Sequence, residues 1–266
     1  MVVVGVDGSP SSQAAVAQAA LEARRRRAEL RVVHAVSGPA RSLEVPLDPS
    51  PLTRLVNEAA QHARSLVPEV EVTEALKTGS AVSVLVAESQ AADLLIVGRR
   101  GTGGFIGMLL GSTAVSLAAH GPSPVMVVGE EPEPAGPIVL AVDGAPDGEK
   151  AVEFAFAEAA LRGAELIAVH AWLPDYAPVG AGVESAERLL AHALAGSAER
   201  HPDVTVRQDV LSGETREVLL EASRTAQLLV VGARGRGGFS GLLLGSVSQA
   251  LLHHAHCPVA VVRGKA

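Results

Sequence analysis

Four positions recur as a set in this chain, at a spacing suited to gripping an anion. Gly98, Gly101, Gly111 and Ser112 form a Gly-x2-Gly-x9-Gly-Ser pattern, and Gly232, Gly235, Gly245 and Ser246 repeat it unchanged. Each set follows an apolar run with the length of a strand. Two glycines at that point let the chain turn and present backbone N–H groups. The closing Gly-Ser pair opens a helix whose unpaired N–H groups and positive dipole end attract phosphate. The nine residues between, Thr102 to Leu110, allow the loop to leave and return, so that amides from both ends converge on one polyphosphate. The Ser112 hydroxyl adds a donor, and Arg100 and Arg234 stand at matching positions in the two loops. The pattern is not a P-loop, which needs Gly-Lys-Ser/Thr, and Gly5-Val6-Asp7-Gly8 lacks the glycine spacing of the dinucleotide fingerprint. Packing alone would account for the glycines of one such loop, but hardly for two loops that kept the same positions.

A second pair, Asp7 and Asp143, ends the first apolar run of each half. A carboxylate there can accept from a ribose hydroxyl or an adenine amino group; the alternative is a turn-forming Asp that bonds its own backbone. In an open parallel sheet a ligand lies beyond the carboxyl ends of the strands, where strand order reverses, and both motifs are expected at that place.

The elements that must position these residues are themselves repeated. Leu94 to Ser112 and Leu228 to Ser246 agree at 14 of 19 positions. Asp7 pairs with Asp143 and His34 with His170 at an offset of 136, and the loops pair at 134, so the second copy is two residues shorter between His170 and Gly213. Gly129 to Pro137, rich in Pro, Gly and Glu, reads as a short exposed linker and divides the chain into domains 1–131 and 132–266. In the first copy strands are predicted over Val2–Val6, Arg31–Val36, Val70–Leu76, Leu94–Val97 and Val125–Val128. Helices are predicted over Ser11–Ala28, Leu52–Leu66, Ser80–Ala91 and Ser112–Ala119, the first opened by Ser9-Pro10-Ser11 with a capping hydroxyl and a first-turn proline. The alternation favours a mostly parallel sheet with helices on both faces, an α/β architecture, in each copy.

Composition agrees with buried parallel strands: hydrophobic residues make up 48% and aromatic residues 2%, so Val, Leu, Ile and Ala must fill the cores. The formal net charge is −7, with 11 basic and 13 acidic residues in 1–131 and 11 and 16 in 132–266, which argues against nucleic acid as a partner. Arg24 to Arg27 are expected to complement a helix C-terminal dipole and stay solvated. No apolar run approaches the roughly 20 residues of a membrane span. With one cysteine, Cys257, no intramolecular disulfide can form; with no signal-peptide pattern at Met1, the cytosol is the expected compartment.

On these residues both halves resemble the universal stress protein family in its tandem, ATP-binding form. The resemblance rests on VGVDGS and LAVDGA, on VHA in the second strand, on the glycine loop, and on the closing PVMVV and PVAVV. It implies two Rossmann-like domains of the adenine nucleotide α-hydrolase type, each a five-stranded parallel sheet in order 3-2-1-4-5. Carried over position by position, it implies adenine contacts at Gly5, Val6, Asp7 and Ala35, and at Ala141, Val142, Asp143 and Ala171. Phosphate contacts would fall on Gly98, Arg100, Gly101, Gly111, Ser112 and Thr113, and on Gly232, Arg234, Gly235, Gly245 and Ser246. Val247 replaces Thr113 in the second copy and Ser248 lies one residue later, so the second site is expected to be the weaker. The ligand implied is ATP, with Mg²⁺ brought by the triphosphate. The resemblance also implies pairing through the last strand, with Pro124–Val128 and Pro258–Val262 joining edge to edge within one chain, and further homodimers open to it.

No P-loop catalytic set, Gly-x-Ser-x-Gly elbow or His-Glu-x-x-His helix is present in the sequence, which favours a binding regulator over an enzyme. Slow ATPase or autophosphorylating activity is the second reading, and a chaperone-like scaffold with vestigial loops the third. His253, His254 and His256 do not share a helix face as metal ligands would need, and Cys257 before Pro258 reads as a buried, unreactive thiol.

Overall fold

Val- and Leu-rich runs become strands here because both of their faces are covered. In the computed structural model, which describes residues 1–36, 50–102, 110–129, 135–173, 182–235 and 244–264, the chain divides into two compact units, Met1–Pro132 and Glu133–Ala266. The middle of each glycine loop and most of the predicted linker lie outside the described residues.

The first unit has strands β1 (Val2–Gly5), β2 (Leu30–Val36), β3 (Val72–Thr78), β4 (Leu94–Gly98) and β5 (Val125–Val128). Helices α1 (Pro10–Arg26), α2 (Ser50–Leu66), α3 (Ala81–Ser89) and α4 (Ser112–His120) alternate with them. All strand pairs are parallel and the order is β3-β2-β1-β4-β5. Order reverses between β1 and β4; right-handed crossovers therefore put α1 with α2 on one face and α3 with α4 on the other. Val2, Val3, Val4, Leu94, Leu95 and Ile96 have no exposed surface, which is why these strands read as continuous apolar runs without alternation.

In the second unit the strands are β6 (Ile138–Ala141), β7 (Leu166–Trp172), β8 (Val206–Ser212), β9 (Leu228–Gly232) and β10 (Val259–Val262). The helices are α5 (Glu149–Arg162), α6 (Val183–Arg200), α7 (Thr215–Ala222) and α8 (Ser246–His254). The order β8-β7-β6-β9-β10, again all parallel, gives each unit the five-stranded sheet that the resemblance implies.

Three local expectations are revised. Val70 sits in the turn after α2, its N–H on the Val67 carbonyl, and β3 starts two residues later. Helix α1 begins at Pro10, with Ser9 as its cap accepting from the Ser12 N–H, but α5 begins only at Glu149, behind a 3-10 turn at Pro146–Gly148. Ala145 and Gly148 offer no side-chain cap there.

The third revision concerns the arginine run. Arg25 and Arg26 do not stay in solvent; both fold back onto Glu22, which is fully buried. The second unit repeats the device with Glu158 and Arg162, whose side chains are 0% and 1% exposed, and Arg162 also reaches the Gln227 side chain. A carboxylate in that position is tolerated only because guanidinium groups satisfy it. The Glu158→Ala variant is expected to lose about 3 kcal/mol or more of stability, the cost of taking one partner from a buried pair. A urea titration of the full chain checks this, and a loss under about 1 kcal/mol would contradict it.

Candidate functional site

The two motifs meet at the carboxyl end of the sheet, where β1 and β4 lie side by side with Gly5 opposite Val97. After β1 the chain makes a tight turn through Gly8, whose φ of +83° is left-handed and suits glycine. That turn aims the Asp7 carboxylate across at the loop that follows β4. Asp7 Oδ1 accepts from the Ser9 N–H at 3.0 Å and the Ser9 hydroxyl at 2.6 Å, and Oδ2 accepts from the Thr102 N–H at 2.9 Å. Burial opposes ionisation of this carboxyl, but the bonds from Ser9, Thr102 and Ser12 outweigh it and hold the group below its ordinary value.

Asp7 therefore forms the turn bond of the plainer expectation and, in addition, straps two segments far apart in sequence. Ser9 and Ser11 extend the strap. The Ser11 hydroxyl donates to the Arg100 carbonyl at 2.7 Å and accepts from the Arg100 N–H at 2.9 Å, and the Ser9 hydroxyl lies 3.1 Å from the same carbonyl. Two glycines of the motif are needed for this closeness. A Cβ on Gly101 would fall 2.5 Å from Asp7 Oδ2, and one on Gly98 would fall 2.6 Å from the Ser11 carbonyl carbon.

The far end of the loop returns to the near end. The Gly111 N–H donates to the Arg99 carbonyl at 2.8 Å, and in the second unit the Gly245 N–H donates to Ala233 at 2.8 Å. Gly111 and Gly245 then cap α4 and α8 in extended geometry, φ −75° and −72°, with no side-chain bond to the helix N–H groups. A Cβ at either position would meet described atoms no closer than 3.5 Å, so neither the backbone nor the described neighbours demand glycine there. Ser112 and Ser246 are exposed, as are Arg100 and Arg234, while Thr113 and Val247 are half-buried.

The residues assigned to adenine sit beside this loop but are largely occupied. The Val6 N–H donates to Val33, and its carbonyl accepts from His34 Nδ1 at 2.6 Å; Val142 repeats both bonds with Val169 and with His170 at 2.7 Å. Each histidine thus ties the ends of the first two strands of its unit, with the proton on Nδ1. Gly5 lacks a side chain because Leu85 of α3 would lie 2.7 Å from its Cβ. Ala35 and Ala171 are half-buried at the end of β2 and β7.

In the second unit Asp143 Oδ1 accepts from the Ala145 N–H at 2.9 Å, and a Cβ on Gly235 would fall 2.5 Å from Asp143 Oδ2. The strap position is kept but its hydroxyls are not: Ala145, Asp147 and Gly148 stand where the first unit has Ser9, Ser11 and Ser12. Ser248 does not restore the hydroxyl lost at Val247. Its side chain is 3% exposed and donates inward to the Gly232 carbonyl at 2.7 Å. Sequence reasoning missed Ser9 and Ser11 as loop anchors; the signal was the triple loss of serine between two copies otherwise alike.

A parallel doubly wound sheet carrying a glycine loop at the point where strand order reverses defines the class: a Rossmann-like α/β protein in two tandem copies. The universal stress protein family matches residues 1–129 and 135–263. Universal stress protein Rv1996 of Mycobacterium tuberculosis is 37% identical to this chain, over 98% of the chain and 94% of the relative. Universal stress protein Rv2623 of the same organism is 37% identical over 98% and 96%. A universal stress protein from Archaeoglobus fulgidus has the same fold, with a TM-score of 0.75 at 19% identity over 99% of this chain and 97% of that one. The chain belongs to the universal stress protein family.

Because the Asp7 carboxyl is held below its ordinary 3.8, the strap's contribution is complete above that pH and is lost as pH falls through the lower folded value. Asp7→Asn is therefore expected to reduce stability at neutral pH and to flatten its decline below about pH 3.8. Thermal unfolding from pH 2 to 7 measures both; parallel acid limbs in the variant and the parent would refute the assignment.

Proposed function

We propose that each unit binds an adenine nucleotide, ATP with Mg²⁺ carried by the triphosphate, and that the chain is a stress-response regulator whose conformation or association changes with occupancy. The observation that carries this reading is glycine at both helix caps. Positions 111 and 245 have ordinary extended φ values and room for a side chain among the described residues. Serine, asparagine or aspartate would cap better at such a position, but each would use N–H groups that glycine's missing side chain leaves unclaimed. An incoming phosphate is the group that benefits.

Phosphate oxygens would then meet the first N–H groups of α4, the hydroxyls of Ser112 and Thr113, the Arg100 guanidinium, and the peptide edges at Gly98 and Gly101. Ser246, Arg234, Gly232 and Gly235 would serve in the second unit. Adenine would lie against Val6 and Ala35, or Val142 and Ala171, with Gly5 and Ala141 behind it at the strand ends. Asp7, which already accepts from Ser9 and Thr102, would also accept from a ribose hydroxyl. Asp143 is the corresponding acceptor.

Binding is favoured over hydrolysis by the state of Asp7. A carboxylate that already accepts several hydrogen bonds, with its pKa held below the ordinary value, is a poor general base. Among the described residues no group of three or more His, Cys, Asp or Glu is placed to hold a metal, so Mg²⁺ would depend on the phosphates for most of its coordination. No helix among the described residues is long and apolar enough to cross a membrane. The last strands, β5 and β10, each end the sheet of their own unit, and a sheet edge is a surface for association. Pairing of the last strands within one chain, and homodimers, are the two forms we propose for it.

Protein purified without added ligand is expected to release adenine nucleotide on denaturation. The stripped protein should gain about 2.7 kcal/mol when Mg-ATP reaches roughly one hundred times its Kd. The pair Gly101→Val and Gly235→Val should abolish both effects. If the wild type releases no nucleotide and gives no thermal shift with millimolar Mg-ATP, the reading fails. Sustained phosphate release that disappears in the double variant would favour a slow ATPase. Sedimentation velocity with and without ATP tests the association.

A further inference from the structure

The two loops share their glycines but are held by different means. In the first unit the peptide of Arg100 is clamped at both ends by Ser11, with Ser9 beside it and the next N–H but one, on Thr102, fixed by Asp7. These serines are 5% and 1% exposed, and they belong to a helix whose first turn is complete from Pro10 onward.

The second unit cannot build that clamp. Ala145 and Gly148 have no hydroxyl, and an ionised carboxylate at Asp147 accepts hydrogen bonds but cannot donate one to a carbonyl oxygen. The backbone has moved accordingly. The first turn of α5 is replaced by a 3-10 turn, and Asp147 packs beside Gly264, where a Cβ would fall 2.8 Å from its own. A Cβ on Gly98 would strike Ser11, whereas one on Gly232 would approach, among the described residues, only the Arg234 carbonyl, at 3.2 Å. The second loop has a hydroxyl tie of its own, from Ser248 to the Gly232 carbonyl, but that tie lies at the strand end, two residues before Arg234.

A loop already fixed in its binding shape loses less freedom when the ligand arrives, and binds more tightly for the same contacts. We propose that Ser9 and Ser11 are positioning residues that preorganise the first phosphate loop, so that the first unit holds its nucleotide across a concentration range in which the second unit exchanges its own. The inference rests on the reading that both loops bind adenine nucleotide. It makes the second unit the responsive site and the first a resident one. The Thr113 and Val247 difference acts in the same direction, but it concerns a contact with the ligand, whereas the serines act through the Arg100 peptide.

Full-length protein stripped of nucleotide and titrated with Mg-ATP by calorimetry tests this. Gly101→Val and Gly235→Val block one loop each, through matched clashes with Asp7 and Asp143. In the Gly235→Val background the remaining first site is expected to bind about tenfold more tightly than the second site in the Gly101→Val background, a difference of roughly 1.4 kcal/mol. Ser9→Ala with Ser11→Ala should remove most of that advantage. Ala145→Ser with Asp147→Ser, placed in the second unit, should tighten its site severalfold, a gain that damage to the fold does not produce. Asp147→Ala controls for the lost negative charge. Equal affinities at the two sites, or Asp147→Ala tightening the second site as much as the serine pair, would overturn the inference and leave nucleotide binding standing. No binding at either loop would overturn both.

Discussion

The site depends on one carboxylate that crosses from the first strand to the fourth. Asp7 collects N–H and O–H donors from its own turn and from Thr102, 95 residues later, and so holds the two segments that flank the reversal of strand order. A half-buried anion is stable there because donors surround it. Other features of the corner follow from keeping that carboxylate in place: the left-handed Gly8 that turns the chain, the missing side chain at Gly101, and the serine cap that starts α1. The second unit keeps Asp143, the left-handed Gly144 and the bare Gly235, and so retains the crossing even where its serines are gone.

The glycines of the loop divide by what surrounds them. Gly98 and Gly101 are required by the protein itself, since Ser11 and Asp7 occupy the space that a side chain would enter. Gly111 and Gly245 have no such neighbour among the described residues and no unusual backbone angle. A motif read as a single anion-binding device is therefore two devices in series, one that brings the loop against Asp7 or Asp143 and one that starts a helix on a residue with no capping side chain.

Cores almost without aromatic residues make this arrangement workable. The inner parallel strands, of Val, Leu and Ile with neither face exposed, give a platform whose polar atoms emerge mainly at the strand ends. Chemistry on such a platform must come from backbone groups, short side chains and loops at the carboxyl edge. The buried Glu22 and Glu158 pairs are the chief exceptions inside the helical layers, and both are matched to arginines on their own helix.

The sequence by itself determined the duplication, the alternation of strand and helix, the parallel sheet and the location of the loops. Those follow from local periodicity and from self-similarity, which need no tertiary contacts to read. It also exposed the difference between Thr113 and Val247, because a lost hydroxyl is visible in an alignment of the chain with itself. It left open whether Asp7 bonds its own turn or reaches outward, expected Arg25 and Arg26 in solvent, and gave His34, Ser9 and Ser11 no role at the loop. Those outcomes depend on partners many residues away: Thr102 and Arg100 for the turn, Val6 for His34. For Arg25 and Arg26 it depends on the burial of Glu22, which a helical sequence pattern alone does not reveal. Side-chain acceptors and donors are settled only when the strands bring distant peptides together, and that is why the loop's position was legible in sequence while its fastening was decided by the tertiary structure.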